Sequence, residues 1–99
     1  MSEAPSTITS STYFDGNVQS LASTRHGCKF SIGVLLPGTY HFGTAAAERM
    51  NCTSGEMVVK IDGSDAFRHY PRGTSFECKK DHGFDVVIEV ATTYLCEYL

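Results

Sequence analysis

One segment of the sequence has the spacing of a metal-binding motif but lacks most of the metal ligands. In that motif two histidines stand one residue apart, a glutamate follows, and a turn glycine comes after six further intervening residues. Glu48 and Gly55 have this spacing. Phe42 and Thr44 occupy the positions where the histidines would stand. A single carboxylate cannot build a transition-metal site, which normally uses several imidazoles. The sequence therefore predicts no bound metal and a site rebuilt for other chemistry.

His41 is the remaining candidate metal ligand near this carboxylate. Moving one residue along a β-strand turns a side chain to the opposite face. If Phe42 and Thr44 face the interior, His41 faces solvent, and we interpret it as a surface histidine, with metal ligation as the minor alternative. The other three histidines stand beside glycine or arginine in predicted loops, where exposure is the default.

Short strands are expected to position these residues. In residues 30–36 and 86–90 every second residue is large and apolar, which is the pattern of strands with one face on a core. Turn signals containing glycine or proline recur between runs of strand length, as in antiparallel sandwiches and barrels. Residues 44–50, with Thr44 as a helix N-cap, are the one helical candidate, and an ordered loop is the equal alternative.

The composition is that of one small domain. A chain of 99 residues is too short to bury two separate cores. Its net charge of −3 argues against broad binding to nucleic-acid phosphates. We expect residues 1–12 to form a disordered polar tail and residues 13–99 to form the folded domain.

The same survey gives an expected location. No apolar segment approaches the roughly 20 residues that span a bilayer, and the start of the chain lacks a secretory signal. The four cysteines are widely separated, so we expect reduced thiols packed in the core. We therefore expect a soluble cytoplasmic protein without membrane or nucleic-acid partners.

Two short frames resemble the motifs of the cupin superfamily. The first runs from Glu48 to Gly55, and the second is Pro71-x-Gly73, which in cupins continues through two residues to another histidine. Phe76 occupies the position of that histidine. Of the ligands expected in metal-binding cupins, only the glutamate is present.

A longer series of segments resembles the small pyrimidine/purine nucleoside phosphorylases. Their order, spacing and the chain length together make this resemblance specific. The segments are Tyr13-Phe-Asp-Gly-Asn-Val18, Ser31-Ile-Gly-Val34, Pro37-Gly-Thr-Tyr-His-Phe-Gly-Thr44, Glu48-Arg-Met50, Ser54-Gly55, Gly73-Thr-Ser-Phe76 and Tyr94-Leu-Cys-Glu-Tyr-Leu99.

The resemblance implies both a fold and a reaction. The implied fold is all-β: a single-domain, cupin-type antiparallel β-barrel of jelly-roll character. The implied enzyme is a pentosyltransferase that splits nucleosides of many bases with phosphate, giving free base and α-D-ribose 1-phosphate. Inorganic phosphate is then a co-substrate, and no cofactor is expected.

Given this reaction, the site needs an acceptor for ribose hydroxyls, a flat apolar surface for the base and a cradle for phosphate. We predict Glu48 and Thr44 as catalytic residues that hold the ribose, because an ionised carboxylate accepts hydrogen bonds from vicinal hydroxyls and favours positive charge on the sugar. An exposed glutamate without function is the structural alternative.

The remaining predicted site residues bind the base or the phosphate. The candidates for stacking on the base are Tyr40, Phe42, Phe76 and Tyr94, with the facing of Tyr40 left open. Simple filling of the core is an equal alternative for each of these aromatics. The candidates for the phosphate are Arg49, Arg72 and Ser75, since arginine suits bidentate contact with phosphate.

Two further expectations concern other functions and partners. A non-catalytic cupin that binds a small sugar or nucleotide is the alternative function, and the ligand count weighs against a metal-dependent enzyme. The apolar segment 93–99 would be an aggregation hazard as an unpaired sheet edge. We therefore expect a homodimer that covers this segment.

Overall fold

In the computed structural model, which describes residues 7–99, the chain forms ten strands and one short 3-10 turn, Phe14–Gly16. The strands are β1 (Thr9–Tyr13), β2 (Val18–Arg25), β3 (Cys28–Leu35), β4 (Gly38–Thr44), β5 (Glu48–Ser54), β6 (Glu56–Ile61), β7 (Arg68–Pro71), β8 (Ser75–Cys78), β9 (His82–Ile88) and β10 (Thr92–Tyr98). These described residues contain no helix with the length and hydropathy needed to cross a bilayer.

The strands form two antiparallel sheets. One sheet has six strands in the order β1-β2-β3-β10-β5-β8, and the other has four in the order β4-β9-β6-β7. The all-β antiparallel prediction is confirmed. Closure into a barrel is not confirmed, because within residues 7–99 both sheets remain open at their edges.

The core lies between the two sheets. Alternate side chains of the central strands point inward, so that Val18 and Leu35 from the six-stranded sheet join Met57, Phe84 and Val86 from the four-stranded sheet in one buried cluster. Burying an aliphatic or aromatic side chain of this size contributes about 1.5–3 kcal/mol. The inward-facing apolar side chains of the two sheets therefore pack against each other and stabilise the fold.

β1 lies where the sequence predicts a disordered tail. Residues 9–12 pair with β2 in continuous antiparallel register, so the expected domain boundary at residue 12 is corrected. Residues 1–6 of the predicted tail lie outside the described part of the chain. The strand was missed because nearly all its side chains are exposed, which removes the apolar alternation that marks a strand with one buried face.

Two other elements differ from expectation. Residues 45–47 form a short loop between β4 and β5, while Thr44 and residues 48–50 belong to those strands, so the helical alternative for residues 44–50 is wrong and the loop is shorter than expected. The C-terminal β10 is an interior strand that pairs with β3 on one side and β5 on the other. Its apolar character therefore reflects a central position, and the argument for an exposed edge at 93–99 is wrong.

Candidate active site between the two sheets

A cleft of about 340 Å³ opens between the inner faces of the two sheets. Its volume lies within the ~300–1,000 Å³ typical of small-molecule sites. One wall is polar and belongs to the six-stranded sheet, and the other is aromatic and belongs to the four-stranded sheet and the turn after β1. A second groove, of about 440 Å³, lies on the outer face of the six-stranded sheet, and its lining contains no charged side chain.

The polar wall is built from alternate residues on neighbouring strands. Its members are Ser20 on β2, Ser31 on β3, Glu48 on β5, and Tyr94, Cys96 and Tyr98 on β10. Tyr98 is the register partner of Glu48. Because β10 lies between β3 and β5, its side chains bring groups from three strands into one polar surface.

The aromatic wall is a chain of three rings. The ring of Phe14 lies 5.6 Å from that of Phe42 in an edge-on arrangement, and Phe42 lies 5.5 Å from Phe84. Phe14 itself is 43% exposed and has a positive φ of 53°, followed by Asp15 at 57°. A bulky residue with positive φ is a strained exception. Such strain concentrates at ligand sites, and here it places an aromatic face over the cleft.

Burial governs the protonation of the polar wall. It raises the pKa of the Glu48 carboxyl above its ordinary value of 4.5, while the hydrogen bond from Cys96 and the positive charge of Lys29 act in the opposite direction. Burial also raises the pKa of the Tyr94 hydroxyl and of the Cys96 thiol to about 12 each. At neutral pH Tyr94 and Cys96 are therefore neutral groups, and Glu48 is the carboxyl group of this wall, with its pKa raised by burial.

The mouth of the cleft carries a histidine–carboxylate pair. His41 lines the cleft, and its Nδ1 lies 2.7 Å from Oδ1 of Asp85. The two side chains are 55% and 42% exposed, which agrees with the expected solvent-facing position of His41. Within residues 7–99 no group of three or more histidine, cysteine, aspartate or glutamate side chains is arranged to hold a metal ion.

Three of the predicted site residues come together in the cleft. Glu48 and Tyr94 line its polar wall, and Phe42 lines its aromatic wall. The apolar alternation read from the sequence covers residues 30–36 and 86–90, so it did not predict the strands β4, β5 and β10 that carry these three residues.

Thr44 and Phe76, two other predicted site residues, are packed behind the cleft. Thr44 is buried, donates to the carbonyl of Lys79 at 2.6 Å and accepts from the backbone amide of His82, so it fixes the turn between β8 and β9. Phe76 is buried against the rings of Tyr70 and Phe84. These contacts place both side chains in supporting positions, away from the surface that a ligand would touch.

Tyr40 is also a supporting residue. It shares strand parity with Phe42 and faces inward with 6% exposure, and its hydroxyl donates to the carbonyl of Leu36 at 2.6 Å. Its ring lies 5.0 Å from that of Phe14. Tyr40 therefore supports the aromatic wall from behind.

The predicted phosphate ligands do not reach the cleft. Arg49 lies on the outer face of the six-stranded sheet, where its Nη2 is 2.9 Å from Glu77 and its Nη1 is 3.8 Å from Glu97. Its neighbour Glu48 faces inward because consecutive residues of a strand alternate between faces. Ser75 is exposed on β8, and Arg72 is exposed in the turn before it.

Several cleft residues were missed by the sequence-based prediction. Tyr13 and Phe14 belong to a segment that carried the family resemblance, yet no chemical role was assigned to them. Cys96 and Tyr98 share the parity of Tyr94 and could have been found by extending its alternation. Ser31 required knowledge that β3 pairs with β10.

Known proteins similar to this chain belong to the family that its sequence segments resemble. A family model described as pyrimidine/purine nucleoside phosphorylase matches residues 8–98. A protein of that name from Sorangium cellulosum is 48% identical over 87 residues, covering 88% of this chain and 94% of its own. Another from Vibrio vulnificus is 47% identical over 92 residues, covering 93% of this chain and 99% of its own.

Solved structures give a consistent fold. A crystal structure of a protein of unknown function from Vibrio parahaemolyticus superposes with a TM-score of 0.92 at 44% identity, covering 94% of this chain and 99% of the other. An RmlC-like cupin from Shewanella frigidimarina has a TM-score of 0.72 at 14% identity, covering 94% and 82%, and it indicates the fold alone. The chain has a cupin-like all-β fold and belongs to the pyrimidine/purine nucleoside phosphorylase family.

Proposed function

We propose that this chain catalyses the phosphorolysis of purine and pyrimidine nucleosides in the cleft between its sheets, giving free base and α-D-ribose 1-phosphate. The observation that carries the proposal is the placement of a half-buried carboxylate, Glu48, in a cleft whose other wall is formed by the rings of Phe14 and Phe42. A nucleoside has a matching division between a polar sugar and a flat base. The family membership supports the same reaction class.

Glu48 holds the ribose and stabilises its positive charge. As the bond to the base breaks, the sugar develops oxocarbenium character, and a fixed carboxylate nearby stabilises that charge more strongly in a partly buried site than in water. The ionised form is the working form. Because burial raises the pKa of Glu48, the acidic limb of the kcat/KM profile is displaced to higher pH than an exposed glutamate would give.

The aromatic wall accounts for broad base tolerance. Stacking on an aromatic ring requires only a π-face, which every base has. Phe14 and Phe42 present carbon surfaces without donors or acceptors, so they bind purines and pyrimidines without reading the edges of the base. Tyr94, on the polar wall, stays protonated because burial raises its pKa to about 12, and in this proposal its hydroxyl donates a hydrogen bond to the nucleoside.

Positioning and charge supply the catalysis in this proposal. Phosphorolysis joins two bound reactants, and holding them in a reactive geometry lowers the barrier by removing the entropy cost of their encounter. Inorganic phosphate serves as co-substrate, and no cofactor takes part. We place the reaction in the cytoplasm, which is supported by the four cysteines being free thiols of the kind that persist in reducing compartments.

We also propose that the chain works as a homodimer joined through the outer face of the six-stranded sheet. Leu21, Ile32 and Val34 stand there with 46%, 48% and 44% exposure, beside the outer groove. A two-fold interface pairs a patch with itself, so a charged patch would repel its copy. The uncharged lining of this groove avoids that repulsion.

The reaction is tested by incubating the protein with uridine and, separately, adenosine, each with and without phosphate, and measuring free base by chromatography. Base release that requires phosphate, with ribose 1-phosphate as the second product, is expected. Release without phosphate would indicate a hydrolase. Saturable nucleoside binding without any release would favour the alternative of a non-catalytic binding protein.

A further inference from the structure

We propose that Lys29 is the phosphate-binding residue of this cleft, an inference that rests on the proposed phosphorolysis. Lys29 is exposed near the start of β3, shares the strand parity of the buried Ser31, and was not among the residues that the sequence suggested. Its assignment follows from the stereochemistry of the reaction and from its position beside Glu48.

The stereochemistry fixes where the phosphate must stand. In a nucleoside the base projects from one face of the ribose ring, and the 2′- and 3′-hydroxyls project from the other. The product α-D-ribose 1-phosphate carries its phosphate on the hydroxyl face, so phosphate attacks C1′ from that side. A carboxylate that accepts hydrogen bonds from the two hydroxyls lies on the same side. The phosphate site must therefore adjoin Glu48.

Lys29 is the cation that the fold places next to Glu48. Its Nζ lies 4.7 Å from the centroid of the Tyr98 ring, and Tyr98 is the register partner of Glu48. In the sheet β10 lies between β3 and β5. The backbones of Lys29 and Glu48 are therefore about 10 Å apart, which is two strand spacings. The charge of Lys29 acts on the Glu48 carboxylate, favouring its ionised form.

The arginines near this part of the sheet are engaged on its other face. Arg49 pairs with Glu77 and Glu97, and the guanidinium of Arg25 lies 4.8 Å above the ring of Phe30, whose neighbour Ser31 points inward. An ammonium group carries three donors and forms short, charge-assisted hydrogen bonds with phosphate oxygens. Lys29 would also reduce the repulsion between phosphate and the Glu48 carboxylate.

An oxygen of dihydrogen phosphate forms the bond to C1′ while the bond from C1′ to the base nitrogen breaks. The electron pair of the broken bond leaves with the base. The base takes up a proton that phosphate gives up, so nucleoside and dihydrogen phosphate become free base and the ribose 1-phosphate monoanion.

The experiment compares Lys29→Met and Lys29→Arg with Arg25→Met as the matched control, since Arg25 lies on the adjacent strand but on the opposite face. Steady-state phosphorolysis of uridine is measured with phosphate and nucleoside varied separately. In Lys29→Met the KM for phosphate rises on the order of 10- to 100-fold, the loss expected for one charge-assisted hydrogen bond, and the KM for uridine changes less than about twofold. Lys29→Arg restores most of the phosphate affinity, and Arg25→Met behaves as the wild type.

An unchanged KM for phosphate in Lys29→Met would overturn the inference while leaving the proposed reaction intact, and so would equal losses for both substrates. A second readout does not need turnover: broadening of the ³¹P resonance of inorganic phosphate by the protein. If the wild type cleaves no nucleoside, the proposed function fails; broadening lost in Lys29→Met but kept in Arg25→Met would still support an anion site at Lys29. Equal broadening by the wild type, Lys29→Met and Arg25→Met would overturn the assignment of Lys29.

Discussion

At the scale of single residues, Glu48 is the group in which stability and function conflict. Its carboxyl has a folded-state pKa raised above 4.5 by burial, so the folded state holds this proton more tightly than the unfolded state does. The contribution to stability is complete below pH 4.5 and is lost as pH rises through the folded pKa. At neutral pH the ionised carboxylate therefore costs folding free energy that a neutral side chain would not.

Glu48→Gln should consequently be more stable than the wild type at pH 7. The difference in unfolding free energy should shrink as pH falls and disappear below about pH 4.5, where both side chains are neutral in the folded and unfolded states. Urea unfolding of the two proteins across this range measures the difference directly, because every other titrating group is shared. A variant less stable than the wild type at pH 7 would show that the hydrogen bond and the charge of Lys29 outweigh burial.

Phe14 carries the second prediction at this scale. Phe14→Ala should raise the KM for nucleosides about 5- to 100-fold, since stacking of one base is worth about 1–3 kcal/mol. The KM for phosphate should not change. Thermal unfolding should shift little, because the Phe14 side chain is exposed and loses few buried contacts. Phe67→Ala, at a similarly exposed phenylalanine away from the cleft, is the control, and equal kinetic losses in both variants would contradict the role of Phe14.

At the scale of elements, the close approach of β3 and β10 shapes the polar wall. Gly33 and Tyr94 are register partners, and a Cβ at Gly33 would stand 2.5 Å from the Tyr94 hydroxyl and 2.6 Å from the carbonyl oxygen of Gln19. Only a residue without a Cβ lets the Tyr94 ring lie across β3. The glycine therefore determines the position of a cleft side chain on the neighbouring strand.

Gly33→Ala should destabilise the protein by about 1–3 kcal/mol, the usual cost of overpacking, and weaken nucleoside binding because Tyr94 is displaced. Gly43→Ala provides the control for stability, since the nearest atom to its Cβ would be 4.0 Å away. Chemical denaturation of both variants measures the effect. Equal stability of the two alanine variants would mean that Tyr94 moves aside without cost.

The elements also explain which parts of the site were predictable. The motif spacing identified Phe42 and Glu48 as candidate interior residues, and both line the cleft, but local alternation did not settle which residues of 39–44 face inward. Register across the sheet depends on which strands become neighbours, and nothing local to β3 indicates that it pairs with β10. Lys29 and Ser31 were missed for that reason. Arg49 was chosen because it follows Glu48 in the sequence, but consecutive residues of a strand point to opposite faces of the sheet.

At the scale of the whole molecule, the outer face of the six-stranded sheet is the surface on which the dimer proposal rests. Ile32→Glu should convert a dimer to a monomer in light scattering, because a symmetric interface would bury two like charges against apolar neighbours. Val90→Glu adds the same charge at an exposed valine, 59% accessible, in the turn between β9 and β10. A monomeric wild type, or a dimer that persists in Ile32→Glu, would contradict this interface.

The whole fold was more predictable than its topology. Turn residues and apolar alternation indicated an all-β domain, because both report on single strands. The order of strands in the sheets depends on contacts between distant segments, so β10 was taken for an edge although it lies between β3 and β5. The polar β1 escaped detection because its stability comes from pairing with β2 rather than from burial of its own side chains.

The central claim is that nucleoside phosphorolysis takes place at Glu48 in the cleft between the sheets. The most direct test measures phosphate-dependent release of uracil from uridine by the wild type and by Glu48→Gln, with circular dichroism confirming that both are folded. We predict that the wild type releases uracil only with phosphate, and that kcat falls about 10²- to 10³-fold in the variant, the loss typical of removing one electrostatic group from an active site. Full activity of a folded Glu48→Gln protein would contradict the account.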